Sequence, residues 1–409
     1  MKLLAELREG LGISWDAIRA NKMRSGLTTL GIIIGIVTVT IMGAAITGLD
    51  RAFLKSISSL GADVFYVERR NWINKTQDDW LKGWKRRPVT VAEAKALAGQ
   101  LTLAAAVAPV VNGRASVEYK NKSAAIVWIV GTTEDYRLTS GVDVSDGRFL
   151  SVIDAAGGRP VCILGTQIAT NLFQSESPLG HKVKLGGQSF EVVGVLEKQG
   201  TFLGFRSLDN RVIIPLKQFI ALVWHNPDVQ VQVKARHLSQ LEEAREELRC
   251  AMRRVRRLAP NQPDDFGINQ QDQIVKAFHR DTAVIALTGL CITALSLFVG
   301  GIGIMNIMFV SVAERTHEIG IRKAIGAKRR TILLQFLVEA ACICLVGGLI
   351  GLGIARLLIF GIQEFLPSVM SPAIVGAALL VSLATGVVSG FLPAWRAARM
   401  KPVDALRSE

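Results

Sequence analysis

ERTHEIGIRKAIGAKRR, residues 314–330, decides how the rest of the chain is read. Before it stands IALTGLCITALSLFVGGIGIMNIMFVSVA (285–313), which carries no charge. After it stands TILLQFLVEAACICLVGGLIGLGIA (331–355), with a single acid, Glu339. Each flank exceeds the ~20 apolar residues that cross ~30 Å of hydrocarbon. A dense cluster of charge between two such runs reads as a short loop at a membrane face.

Working outward, the same test finds four windows: Thr28–Leu49, Ala283–Ala313, Ile332–Ala355 and Ala373–Trp395. None has the polar face of a helix packed on a soluble core. The chain is 50% hydrophobic, and these windows hold the excess. The first is no cleaved leader, since its charged lead is too long and its apolar run too extended. Four spans put both termini and 314–330 on one side. Those segments carry Lys2, Arg8, Arg19, Lys22 and Arg24, then Arg315, Arg322, Lys323, Lys328, Arg329 and Arg330, then Arg396, Arg399, Lys401 and Arg407. GIQEFLPSVMSP (361–372), on the other side, has no Lys or Arg. The positive-inside rule therefore predicts cytoplasmic termini, with the long loop 51–280 outside.

The expected domains follow. Residues 1–27 form a cytoplasmic amphipathic helix, with Leu4, Leu7, Leu11, Trp15 and Ile18 facing the lipid surface. The first span is 28–50. The ectodomain 51–280 is mixed α/β: 51–136 and 226–280 make one α/β subdomain, and 137–225 a β-rich insert. ADVFYVER, RVIIPL and VQVQVKA read as strands, and KVKLGGQSFEVVGV as a hairpin turning at Gly186-Gly187. ASVEY and AAIVWIVG read as a second hairpin around KNKS, and Thr90 with Glu93 as a capping box. As one helix, 283–313 would reach ~46 Å, so 281–313 is read as a stalk running into the second span. The loop 314–331, the spans 332–358 and 373–395 and a cytoplasmic tail 396–409 complete the chain. Gly31-xxx-Gly35, Gly347-xxx-Gly351 and Gly386-xxx-Gly390, with Gly300, Gly301 and Gly303, predict a tightly packed bundle or dimer.

The net charge of +14 invites a nucleic-acid partner. Topology and anionic lipid account for the cytoplasmic bases instead, and RRVRR (253–257) reads as the solvated face of the helix LSQLEEAREELRCAMRRVRRL. Cys162 and Cys250 are the pair open to a disulfide, although PVCIL suits a buried thiol better. No Cys/His spacing resembles a zinc site. There is no GxxxxGK[ST], HExxH or GxSxG run, and His181, His225, His237, His279 and His317 are scattered. The residues thus favour neither an enzyme nor a resident cofactor, and spans without a polar lining make a poor channel. Glu339, the one acid inside a span, is either a functional group of the membrane interior or a partner of the basic rim.

If 314–325 is one helix, Glu314, Glu318 and Arg322 share a face, Glu318 and Arg322 pair, and Ile319, Ala324 and Ile325 add apolar contacts. Gly326 ends it. Such a helix suits a groove in a cytoplasmic partner.

At this point the chain resembles a known family. SLFVGGIGIMNIMFVSVAERTHEIGIRKAIGAKRRTILLQFLVEA is similar to the signature of the MacB/FtsX-like ABC transporter permeases. The likeness extends through NKMRSGLTTLGIIIGI, GRASVEY, GVDVSDGRFL, PLGHKVKLGGQSFEVVGV and FLPAWRAARMKPVDALR. It implies four-span subunits in a homodimer, with a Porter/Sabre-like ectodomain and a stalk-like second helix. It implies mechanotransmission: a dimeric ATPase, holding ATP and Mg, drives the ectodomain to expel antibiotics, peptides or lipids. By match to the motif, Glu314, Arg315, Glu318, Ile319, Gly320, Arg322, Lys323, Ala324, Gly326 and Ala327 form the ATPase-coupling segment. MacB itself carries its ATPase fused ahead of the first span, where this sequence has about two dozen residues, so the expectation is a separate ATPase chain. The large ectodomain favours a periplasmic adaptor and an outer-membrane duct as further partners. Lipoprotein release by a heterodimer, or FtsX-like control of a cell-wall hydrolase, stay open as alternatives.

Overall fold

The computed structural model describes residues 22–57, 61–73, 76–174, 176–202, 206–222, 227–363, 368 and 370–407. The surface helix expected within residues 1–27 lies outside them up to residue 21, and from Lys22 the chain is already in the first long helix. In chain order the elements are α1 (Lys22–Ile57), β1 (Val64–Glu68), α2 (Gln77–Lys85), α3 (Val91–Ala98), β2 (Ala104–Tyr119), β3 (Lys122–Thr132), α4 (Tyr136–Ser140), β4 (Val144–Gly147), α5 (Val152–Gly157), β5 (Val161–Leu164) and α6 (Thr166–Phe173). There follow β6 (Lys182–Leu185), β7 (Gln188–Leu196), β8 (Thr201–Phe202), β9 (Arg206–Ser207), β10 (Arg211–Pro215), α7 (Leu216–Leu222), β11 (Gln230–Ala235), α8 (Leu241–Val255) and β12 (Gly267–Gln270). The last elements are α9 (Gln271–Glu314), α10 (Thr316–Ala324), α11 (Arg329–Ile362), α12 (Pro372–Arg399) and α13 (Pro402–Arg407). Phe53–His279 is one compact unit, and the chain before Phe53 joins Arg280–Glu409 in a second.

The first unit is built on a mixed sheet in the order β12-β1-β11-β2-β3-β10-β5-β7-β4, with β6 paired to β2 and β7. The strands from 51–136 and 226–280 take one end of this path and those from 137–225 the other. The sheet does not break between them, because β3 pairs in parallel with β10, and β2 pairs antiparallel with β6. Both faces are covered. One core gathers Phe65, Val67, Val231 and Val233 with Phe190 and Phe219, and the other gathers Val110, Val130, Ile163 and Ile213. Burying a side chain such as Phe190 or Phe219 contributes up to ~3 kcal/mol.

Local chemistry sets these elements. Gly186 and Gly187, at φ 55° and 88°, supply the left-handed turn between β6 and β7. Thr90 caps α3, its Oγ1 accepting from the Glu93 N–H while the Thr90 N–H donates to Glu93 at 2.8 Å. The hairpin around KNKS is present, but β2 extends back through Pro109 and Gly113 to Ala104 and is 16 residues long. The strict alternation of VQVQVKA predicts Gln232 at the surface. It is buried instead, because α4 covers that face and the Thr139 hydroxyl donates to Gln232 Oε1 at 2.9 Å.

RRVRR also departs from a solvated face. The side chain of Arg256 is wholly buried and pairs with Asp265 at 3.0 Å. Arg253 donates to the carbonyls of Ala259 and Gln262. Only Arg254 and Arg257 of the four arginines are exposed. Cys162 and Cys250 are both free thiols, and burial pushes the Cys162 thiol well up.

The second unit holds the helices long and apolar enough to cross a membrane: Thr29–Leu54, Gln271–Glu314, Arg329–Gly361 and Pro372–Arg399. The helix read from Ala283 begins at Gln271, directly after β12, and its 44 residues measure ~66 Å. Its residues up to His279 belong to the sheet unit, where Phe278 stacks on Phe53 at 3.9 Å. The glycine motifs serve contacts within this one chain. A Cβ on Gly31 would lie 3.0 Å from Gly300 Cα, so α1 and α9 touch backbone to backbone. The Ser296 hydroxyl donates to Gly31 O at 3.1 Å in the same crossing.

Candidate functional site

The charged segment between α9 and α11 is ordered from both ends. The single helix expected over 314–325 is two helices. Arg315 leaves the helical region (φ −101°, ψ 17°), and α10 starts at Thr316. The Thr316 hydroxyl donates back to Ala313 O at 2.8 Å and Val312 O at 3.1 Å, a bond that bends helices. Glu314 therefore ends α9, exposed, on the other side of the bend from Glu318 and Arg322.

The rest of the segment is closely tied. Arg322 donates to Glu318 at 2.5 Å, one helical turn away, and to Gln335 of α11 at 2.8 Å. Lys323 donates to the carbonyls of Ala398 at 2.8 Å and Met400 at 2.5 Å, at the C-terminus of α12. Burial pushes the Lys323 pKa down, and the positive charge of Arg329 adds to this. Gly326, at φ 101°, closes the helix: its N–H reaches Lys323 O at 3.1 Å and that of Ala327 reaches Arg322 O at 3.0 Å. This is the Schellman pattern, which satisfies the last carbonyls of α10. Ala327 packs against the core beyond it.

One face of α10 is sealed and the other is open. Ile319 and Gly320 are buried, Ile319 in a core with Ile332 and Phe336. On the opposite stripe, with Ala324 also exposed, Ile321 is 41% and Ile325 82% exposed. Branched apolar side chains open to the surroundings on an ordered helix outside the spans are what a protein groove takes up. α13 packs on α10 at the same end and buries Ala405.

Glu339 sits one turn beyond Gln335, 3% exposed, with both carboxylate oxygens 3.4 Å from Arg315 Nη1. Its partner belongs to the basic rim. The sequence marks Arg315, Glu318, Arg322 and Lys323 within the charged segment and Glu339 apart from them inside a span, and the structure brings all five to one end of the bundle. It leaves out Glu314 and adds Gln335, legible as a lone amide in TILLQFLVEA, and the carbonyls of Ala398 and Met400, which no sequence signal marks.

Two family models match separate parts of the chain. A family model described as the MacB-like periplasmic core domain matches residues 25–250. A second, the FtsX-like permease C-terminal, matches residues 290–402. The macrolide export ATP-binding/permease protein MacB of Bdellovibrio bacteriovorus is 33% identical, the alignment covering 99% of this chain and 62% of that protein. The pyoverdine export ATP-binding/permease protein PvdT of Pseudomonas entomophila is 32% identical over 99% of this chain and 60% of its own. The chain thus spans about 60% of the length of these relatives. Among solved structures, the periplasmic region of MacB from Actinobacillus actinomycetemcomitans is 19% identical, covering 56% of this chain and 97% of that one, with a TM-score of 0.46. With more than half of its residues inside the first match and the membrane helices from 290 onward inside the second, the chain belongs to the MacB/FtsX-like family of ABC transporter permeases.

Proposed function

We propose that this chain is the permease subunit of an exporter driven by mechanotransmission. In this reading ATP and Mg are held by a partner ABC ATPase dimer, in keeping with relatives named as ATP-binding/permease proteins. The permease acts as a homodimer or beside a paralogous permease. It sits in the bacterial inner membrane, its ectodomain in the periplasm and its termini with α10 in the cytoplasm, as the distribution of Lys and Arg favours. A periplasmic adaptor and an outer-membrane duct would complete the path. The substrate classes are antibiotics, peptides or lipids, in keeping with relatives named for macrolide and pyoverdine export.

The observation that carries the reading is α10. It joins the end of the 44-residue α9 to α11 through one bend, is tied to α12 through Lys323, and presents Ile321 and Ile325 outward. A push on this face reaches the long helix directly. The test is ATP hydrolysis by the ATPase, measured with and without the permease in lipid. Ile325→Asp changes a side chain that is 82% exposed, so folding is untouched, and stimulation should fall several-fold. Full stimulation by that variant would refute α10 as the contact.

A further inference from the structure

A cleft of about 460 Å³ opens in the sheet unit between α8, β12, the first turn of α9 and the chain that follows β1. Its volume lies in the range of small-molecule sites. Arg86, Arg245 and Arg249 face it with two acids, Glu246 and Asp264. The balance is less even than that count suggests. Asp264 is already neutralised, by Arg249 at 2.7 Å and by Arg253 from outside the cleft. Glu246 is exposed and, among the described residues, reaches only Arg249, at 3.8 Å. Arg245 is half-buried and has no ion pair or hydrogen bond among the described residues. Arg86 uses one Nη to donate to Arg69 O at 3.2 Å. Two guanidinium groups are thus left with capacity for an anion.

The geometry of the remaining wall narrows the ligand. Ile73 and Ile268, both partly exposed, give the cleft an apolar side, while Asn71 and Gln273 contribute amides. The floor is held firmly. Asn269, fully buried, accepts from the Trp72 N–H and donates to Arg70 O, each at 2.9 Å, which pins the loop carrying Asn71 to β12. A guanidinium fork matches a carboxylate in two parallel hydrogen bonds, and a partly withdrawn, unpaired one gains most from such a partner. We propose that this cleft binds the carboxylate end of a small, partly apolar acid, of which a short peptide with a free C-terminus is the type. Arg245 receives the carboxylate, Arg86 supports it, and Ile73 and Ile268 take the apolar side chain.

The experiment is calorimetric titration of the full chain in lipid nanodiscs with N-acetyl-alanyl-leucine, its C-terminal amide and acetate. The free acid should bind, and the amide and acetate should bind at least about tenfold more weakly, the first lacking the charge and the second the apolar part. Arg245→Gln should weaken the acid by at least about tenfold, while Arg254→Gln, on the same helix but outside the cleft, should leave it unchanged. Absence of binding by the free acid at ~1 mM, equal binding of acid and amide, or an unaffected Arg245→Gln variant would each overturn the proposal. The titration needs no ATPase and no transport, so its failure is separate from failure of the export reading.

Discussion

Arg256 and Glu93 meet at 3.2 Å although 163 residues separate them in the chain. Glu93 serves two elements: its Oε2 accepts from the Thr90 N–H to cap α3, and both its oxygens face the buried guanidinium of Arg256. Removing one partner of a buried pair leaves the other charge without compensation. Arg256→Met should therefore destabilise the sheet unit by ~3 kcal/mol, and Arg254→Met, on the exposed face of the same helix, by under ~0.5 kcal/mol. Urea unfolding of the purified chain, followed by tryptophan fluorescence, checks both. Equal effects would return RRVRR to the status of a solvated run.

The Glu318–Arg322 pair gives a second prediction. Glu318→Lys combined with Arg322→Glu inverts the charges on α10 and removes the guanidinium bond to Gln335. The variant should insert and purify normally, yet lose the stimulation of ATP hydrolysis in the reconstituted complex. Undiminished stimulation would sink the assignment of these charges to the coupling face.

Arg315 and Glu339 predict a non-additive cycle. Either Arg315→Met or Glu339→Leu alone strands a polar group that is largely shielded. Each should lower the Tm of the detergent-solubilised chain, and the double variant should recover at least half of the loss. Additive losses would mean that the two groups are stabilised independently.

The helix contacts predict opposite outcomes at two glycines of α12. A Cβ on Gly386 would lie 2.9 Å from Ala341 Cα and 3.0 Å from Ala340 O, whereas one on Gly376 meets nothing within 4 Å. Gly386→Leu should abolish recovery of folded protein, and Gly376→Leu should be tolerated. Size-exclusion profiles after solubilisation compare them.

Asp154 sets an acid limit for the ectodomain. It is fully buried at the start of α5, which pushes its pKa up, but hydrogen bonds from Arg148 and Ser151 outweigh burial and hold it at about 2. An unfolded Asp titrates near ~3.9. The stabilisation is therefore complete above that value and disappears as pH falls through about 2. Asp154→Asn should lower the Tm at neutral pH and flatten its decline between about pH 4 and 2. An unchanged acid slope would show that other carboxylates govern it.

These residues also mark what sequence could reveal. Spans, caps and glycine turns were legible because their causes are local: apolar length at Ala283–Ala313, an oxygen three residues from its donor at Thr90 and Glu93, positive φ at Gly186 and Gly187. The start of α9 at Gln271 was hidden, because QDQIVKAFHRD is polar and its helicity continues from the apolar run below it. The length of β2 was hidden by Pro109 and Gly113, which read as breakers. Arg256 looked solvated because both its acids lie outside its own helix. In the charged segment the Glu318–Arg322 pair followed from spacing, but the bend at Arg315 depends on where the Thr316 hydroxyl finds a carbonyl.

The two hydrogen bonds from Lys323 to Ala398 and Met400 bear on how force divides. Both acceptors are main-chain atoms, so no substitution at 398 or 400 that preserves the backbone removes them. Displacing α10 must either break both bonds or carry the C-terminal end of α12 with it. In the second case a stroke delivered at Ile325 is shared between two membrane helices that are far apart in sequence. Lys323 is then one tie between these elements, beside the packing of α13 on α10, and Lys323→Met would loosen α12 from α10 without touching the exposed face.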